Sequence, residues 1–197
     1  MCKFANDFFG LILLKMIEET LKYLVNGKTI LYPTDTVWGL GCDATNSEAV
    51  KEIYKIKNRE ESKSLIVLVS SLEMLKKYVT VPEKALEILK KAQKPTTIIY
   101  SNPTGIASNI ISKEDNTLAI RIVQNDFCEE LIEKFGKPIV STSANVSGNP
   151  TPKSFSEVEQ AILESVDYIV NLQQDKVSEK SSTILKIEGE EIIVIRE

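Results

Sequence analysis

The sequence predicts a single α/β domain built on a mixed sheet. Short runs of β-branched and aromatic residues alternate with segments whose apolar residues recur at helical spacing. That interleaving is interrupted by two successive helices and a closing hairpin, which argues against a purely parallel, doubly wound sheet. The chain has 197 residues, 43% hydrophobic and 26% charged. This is enough for one core that needs no disulfide staples.

The elements follow in order. Met16 to Asn26 reads as a helix, with Ile17, Leu21, Leu24 and Val25 on one face and Gly27 as the stop. Residues 1–15 hold a short apolar run from Phe8 to Leu14, too short for a bilayer and a poor signal peptide. They are expected to be a peripheral extension or an upstream start, with the domain spanning 16–197. Thr29 to Tyr32 is a strand, and Pro33 to Asn46 is expected as one polar loop. A helix follows from Ser47 to Lys57, capped by Asn46 or Ser47. Leu65 to Val69 is a buried strand. Ser71 starts a short helix, and Pro82 opens another that runs to Gln93. Thr96 to Tyr100 and Leu118 to Val123 are strands separated by an irregular stretch. Asn125 caps a helix that ends at Gly136. Pro138 to Val140 is a strand leading into a polar loop, Ser141 to Pro152, and a helix then extends to Ser165. Tyr168 to Val170 is a strand, and Thr183 to Ile187 with Glu191 to Arg196 form a hairpin around Gly189.

Composition removes several chemistries. The chain has no histidine, so a Ser-His-Asp triad, a Cys-His pair and any His-containing metal site are excluded. The three cysteines, Cys2, Cys42 and Cys128, are far apart and form no CxxC pair. Neither a zinc site nor a disulfide framework is suggested, and a reducing cytoplasm fits. A net charge of −4 and a pI of about 5.2 disfavour indiscriminate nucleic-acid binding while allowing a local cationic patch. Gly39-Leu40-Gly41-Cys42-Asp43-Ala44 matches a relaxed GxGxxA pattern. However, Pro33 to Thr36 separates it from the preceding strand, and Asp43 would sit against a pyrophosphate, so a dinucleotide loop is not inferred. No GxxxxGK[ST] loop is present.

Chemistry therefore falls to Lys, Arg, carboxylates, hydroxyls, amides or a bound metal. The stretch STSANVSGNPTP, Ser141 to Pro152, brings Ser141, Thr142, Ser143, Asn145, Ser147 and Gly148 together after a buried strand. This is either an ordinary turn or a loop whose donors meet an anion. Lys51, Lys55, Lys57, Arg59 and Lys63 cluster near a helix end. They read as helix-dipole complementation, as a solvated face or as a phosphate clamp. Thr34, Asp35 and Thr36 read as a turn with Asx-type self-bonding. Arg121 in an apolar strand must pair with an anion or reach a cleft.

Together these stretches resemble the YrdC/TsaC family of L-threonylcarbamoyladenylate synthases, over Ile17 to Arg196. YPTDTVWGLG is similar to the family's first motif, Lys57-Asn58-Arg59 to its KxR motif and STSAN-x-SG to its SxN motif. Pro95-Thr96, Arg121 and Ser182-Thr183 follow in the family's order. Departures are Glu60 and Ser64 in place of frequent prolines, Trp38 for a frequent Tyr, and Leu68 near where some relatives carry a histidine.

The resemblance implies a twisted, mostly antiparallel mixed sheet flanked by helices around a concave cationic cavity. It implies that L-threonine, bicarbonate and ATP are joined, with Mg²⁺ accompanying the nucleotide and no protein metal ligands, for the t6A modification of adenosine 37 in tRNA. Lys57, Arg59, Ser143 and Asn145 would be catalytic. Lys63, Thr117, Thr151 and Arg196 would add nucleotide contacts. Thr36, Arg121, Ser141 and Ser182 would hold threonine. Implied partners are TsaB/TsaD/TsaE-type transferase proteins and, weakly, tRNA, with no membrane. Two other readings are a noncatalytic RNA-binding module using the same cavity and a carbamoyl-transfer domain of the hydrogenase-maturation type.

Overall fold

The computed structural model describes the backbone of residues 3–61, 64–178, 181–189 and 191–197, and side chains from residue 10 onward within those ranges. Helix α1 (Lys3–Val25) passes residue 16 without a break, so the expected boundary between extension and domain falls inside one helix. Strand β1 (Ile30–Tyr32) is followed by β2 (Gly39–Gly41), α2 (Ser47–Ile56), β3 (Ile66–Val69), α3 (Leu72–Leu75), α4 (Glu83–Lys91) and β4 (Thr96–Ser101). Then come β5 (Thr117–Ile122), α5 (Asp126–Phe135), β6 (Ile139–Ser143), α6 (Gln160–Ser165), β7 (Tyr168–Ile169), β8 (Thr183–Glu188) and β9 (Glu191–Arg196).

The nine strands form one sheet in the order β7-β1-β2-β6-β3-β5-β4-β8-β9. Five of its eight junctions are antiparallel; β1–β7, β3–β5 and β4–β8 are parallel. The mixed, mostly antiparallel sheet is therefore as expected. Local signals explain the helix ends. Asn46 accepts from the Glu48 and Ala49 N–H groups, Asn125 accepts from the Cys128 N–H, and Gly136 closes α5 at φ +73°. The main core packs on the sheet around Ile17, Leu24, Tyr32, Ile53, Val67, Ile98 and Phe127. A smaller cluster of Leu31, Trp38, Ala144, Val158 and Ile162 covers the other face beside β1. Alternation along β1 sends Ile30 and Tyr32 to the first cluster and Leu31 to the second.

Three expectations change. The stretch 33–46, expected as one polar loop, contains β2, whose Leu40 pairs with Thr142 and Leu31. Ser141 to Ser143, expected in a loop, lie in β6. The single helix expected up to Ser165 is split into a 3₁₀ turn (Phe155–Glu157) and α6.

The glycines of β2 are there for close approach to neighbouring strands. A Cβ on Gly41 would lie 2.3 Å from the Val140 carbonyl oxygen and 2.8 Å from Tyr32 Cε1. Gly41→Ala is accordingly expected to destabilise the fold by about 2–3 kcal/mol through overpacking against backbone. Urea denaturation checks this, and an unchanged midpoint would reject the close-packing role.

Candidate active site

The strand ladder builds the floor of a cavity of about 340 Å³. In β6, β3, β5 and β4, Ser141 pairs with Ile66, Ile66 with Ala119, and Ala119 with Ile99. Residues two apart share a face, so Arg121 rises from the same side as Ala119, and Ser143 from the same side as Ser141. Arg121 and Ser143 thus sit at levels four residues apart along the strands, about 13 Å at 3.3 Å per residue. Walls come from Thr36, Ser181, Ser182, Ile195 and Arg196 and from Trp38, Arg59, Ser64 and Thr151. Trp38 is held by a tilted contact with Phe155, ring centroids 4.9 Å apart. Arg59, Arg121 and Arg196 line the cavity, and no carboxylate does so among the described residues.

At one end, Arg121 is almost fully buried, with 3% of its side chain exposed. Its Nη2 donates to Asp35 Oδ1 at 2.9 Å and lies 3.4 Å from Thr36 Oγ1. Asp35 Oδ2 accepts from the Gln124 N–H at 3.2 Å. Arg121 Nε is buried and has no hydrogen-bond partner. Beside it, Arg196 donates from Nε and Nη2 to the Ser182 carbonyl, at 3.1 and 2.9 Å, and from Nη2 to the Ser182 hydroxyl at 3.2 Å. Burial, and then the Arg121 charge, push the Arg196 guanidinium below its ordinary pKa. This end is poised for an anion.

At the other end, Arg59 Nη2 donates to the Ser64 carbonyl at 3.1 Å, and Ser143 projects from the end of β6. The loop after β6 is fixed from behind. Lys57 Nζ donates to the carbonyls of Ser143 and Asn145, the latter at 2.6 Å, and the Ser147 N–H donates to the Lys57 carbonyl at 2.8 Å. Glu159 accepts from the Val146 N–H and from Asn149 Nδ2, both at 2.8 Å. Asn145 Nδ2 donates to the Val146 and Asn149 carbonyls. Desolvation, and then Arg59, lower the Lys57 ammonium pKa to about 8.

Of the residues expected at the site, Thr36, Arg59, Arg121, Ser141, Ser143, Thr151, Ser182 and Arg196 line this one cavity. Lys57, with 1% of its surface exposed, lies behind the loop, Asn145 is buried within it, and both are outside the lining. Thr117 shares the Ala119 face but is also outside the lining, and its hydroxyl donates to Asp115. Lys63 lies outside the described residues.

Sequence reasoning missed Asp35. A buried arginine demanded an anionic partner, yet Asp35 read as a self-bonding turn residue. That local role belongs to Thr34, whose hydroxyl accepts from the Thr36 N–H at 3.0 Å. Glu159, which anchors the loop from 13 residues downstream of Val146, carried no signal in its own neighbourhood.

Comparison with known proteins gives the family. A Methanocaldococcus jannaschii relative is 37% identical over 184 residues, covering 93% of this chain and 86% of its own. A protein of Vibrio parahaemolyticus named threonylcarbamoyl-AMP synthase is 33% identical over 180 residues, covering 86% of this chain and 97% of its own. The crystal structure of P. abyssi Sua5 complexed with L-threonine superimposes with a TM-score of 0.81 at 27% identity. It covers 91% of this chain, which spans about half, 53%, of that longer one. The Sua5/YciO/YrdC family model, described as telomere recombination, matches residues 22–197, and the chain belongs to that family.

Proposed function

We propose that this chain is a threonylcarbamoyl-AMP synthase. Threonine's amine and bicarbonate give a carbamate and water. A carbamate oxygen attacks the α-phosphorus of ATP, and pyrophosphate leaves with the electrons of the broken P–O bond. The observation that carries this reading is a single cavity lined by Arg59, Arg121 and Arg196, in which Arg121 and Ser143 stand at strand levels about 13 Å apart. One level suits an amino-acid carboxylate and the other a polyphosphate. No histidine base is needed, because the carbamate is already an anionic nucleophile. The protein's work is to align two mutually repelling anions and offset the charge that develops.

In this scheme Arg121, with Ser182, Thr36 and Ser141 around it, takes the threonine carboxylate and hydroxyl. Arg59, Ser143 and Thr151 take phosphate oxygens, and Arg196 stands beside Arg121 at the carboxylate end. Lys57 and Asn145 set the shape of the loop that presents Ser143. Among the described residues no group of three or more Asp, Glu or Cys side chains is arranged to hold a metal. Mg²⁺ would arrive with the nucleotide substrate and offset its phosphate charge.

The product would pass to TsaB/TsaD/TsaE-type proteins for t6A formation on tRNA in the cytoplasm. No described helix is long and apolar enough to cross a membrane. The test is pyrophosphate release from ATP. It should require both threonine and bicarbonate, and release that continues undiminished without threonine overturns the proposal. Salt-sensitive RNA binding without any such release would favour the RNA-module reading instead.

A further inference from the structure

The two ends of the cavity are both lined by arginine, yet one must take a monoanionic carboxylate and the other a polyanion. Nothing in the lining alone enforces that order, because Arg121 and Arg196 together would attract a phosphate chain at least as strongly as Arg59 does. The buried ion pair behind the lining breaks the symmetry. Asp35 and Arg121 are each 3% exposed and meet at 2.9 Å. Low-dielectric surroundings make the effect of the carboxylate on Arg121 far larger than at a surface. The second Asp35 oxygen is held by the Gln124 N–H, which fixes the carboxylate against rotation.

We infer that Asp35 is a specificity-determining and positioning residue that sets the direction in which the two substrates enter the cavity. It acts by cancelling most of the Arg121 charge and by occupying that guanidinium's Nη2 corner. What remains at this end is the net charge of Arg196 and the Arg121 N–H donors that Asp35 leaves open to the cavity. That combination satisfies one planar carboxylate through charge-assisted hydrogen bonds. A triphosphate would gain little there. It would meet the Asp35 charge behind the guanidinium, and it keeps the better site at Arg59 and the β6 loop. Asp35 touches no substrate atom in this account and acts through Arg121.

The inference rests on the proposed synthase reading, and one competition experiment separates the two. L-Threonine binding is measured by calorimetry with and without saturating inorganic tripolyphosphate, for the wild type, Asp35→Asn and Asp35→Glu. The wild type should bind threonine with an affinity that tripolyphosphate changes by no more than about twofold, since the two anions occupy different ends. Asn at position 35 can still accept from Arg121 Nη2 but no longer offsets its charge. Tripolyphosphate should then weaken threonine binding by about tenfold or more. Asp35→Glu, which restores the charge, should return the pattern toward wild type.

Competition already present in the wild type overturns the inference, and so does an Asp35→Asn variant that shows none. If Asp35→Asn does not fold, Asp35→Ser, which also removes the charge, takes its place in the same competition. A wild type that binds no threonine at all overturns the synthase reading and this inference with it, and is recognisable at the first titration.

Discussion

Lys57→Met is expected to lower turnover by about 100-fold, although Lys57 does not line the cavity. Methionine matches the length of the lysine stem but has no donor. The Ser143 and Asn145 carbonyls lose the ammonium that joins them. Each buried acceptor left unpaired costs about 1–3 kcal/mol, so the loop is expected to relax away from its present path. Ser143 begins that loop, and a displacement of about 1 Å at a reacting centre can cost about 100-fold in rate. Arg at this position should not rescue, because a planar fork cannot fill a slot shaped for a compact point charge.

The pH arm separates this placement from a solvated one. Burial, reinforced by Arg59, holds the folded-state pKa of Lys57 near 8, whereas the unfolded value is about 10.4. Between those values the unfolded chain binds the proton and the folded chain does not. This group's contribution to stability therefore rises with pH from about 8 to about 10.4. Urea midpoints of the wild type should climb relative to those of Lys57→Met across that window. Parallel curves would return Lys57 to a solvated helix end.

Arg121→Met should produce the larger loss of stability, about 3–5 kcal/mol, because it strands the Asp35 carboxylate in a site with 3% exposure. Removing one member of a buried pair is costly even where the intact pair is worth little net. The double variant Arg121→Met/Asp35→Leu should therefore recover part of that loss. Neither variant should bind threonine measurably by calorimetry, since the donor edge facing the ligand is gone in both. Stability near wild type in Arg121→Met would mean that Asp35 is hydrated rather than sequestered. A double variant that regains threonine binding would remove Arg121 from the carboxylate end.

The legible parts of the fold were those where local chemistry decides structure. The Asn46, Asn125 and Gly136 caps, the apolar run at 65–69 and the hairpin around Gly189 each carry their signal within a few residues. β2 was not legible, because glycine has low strand propensity and its placement is dictated by Val140 and Tyr32 from elsewhere in the chain. The end of β6 was hidden for a related reason. Ser141, Thr142 and Ser143 look like a loop, but Gly39, Leu40 and Ile66 pair with them across the sheet.

At the site, it was the family resemblance, carried by the motifs and their order along the chain, that named Arg59, Arg121, Ser143, Ser182 and Arg196, and all five line the cavity. Which atoms face inward was not legible. Lys57 reads as a phosphate ligand beside Arg59, yet the turn at the end of α2 sends its ammonium behind the β6 loop. Asp35 reads as a turn residue until β5 brings Arg121 against it.

One small cavity must unite an amino-acid carbamate with a nucleotide. The most direct measurement supplies ATP, L-threonine and ¹³C-labelled bicarbonate to the purified chain and weighs the nucleotide products by mass spectrometry. The predicted species is AMP bonded to threonine through a single ¹³C-bearing carbonyl, formed in step with pyrophosphate. AMP and pyrophosphate accumulating with no labelled adduct, in a sample quenched before the product can hydrolyse, would contradict it.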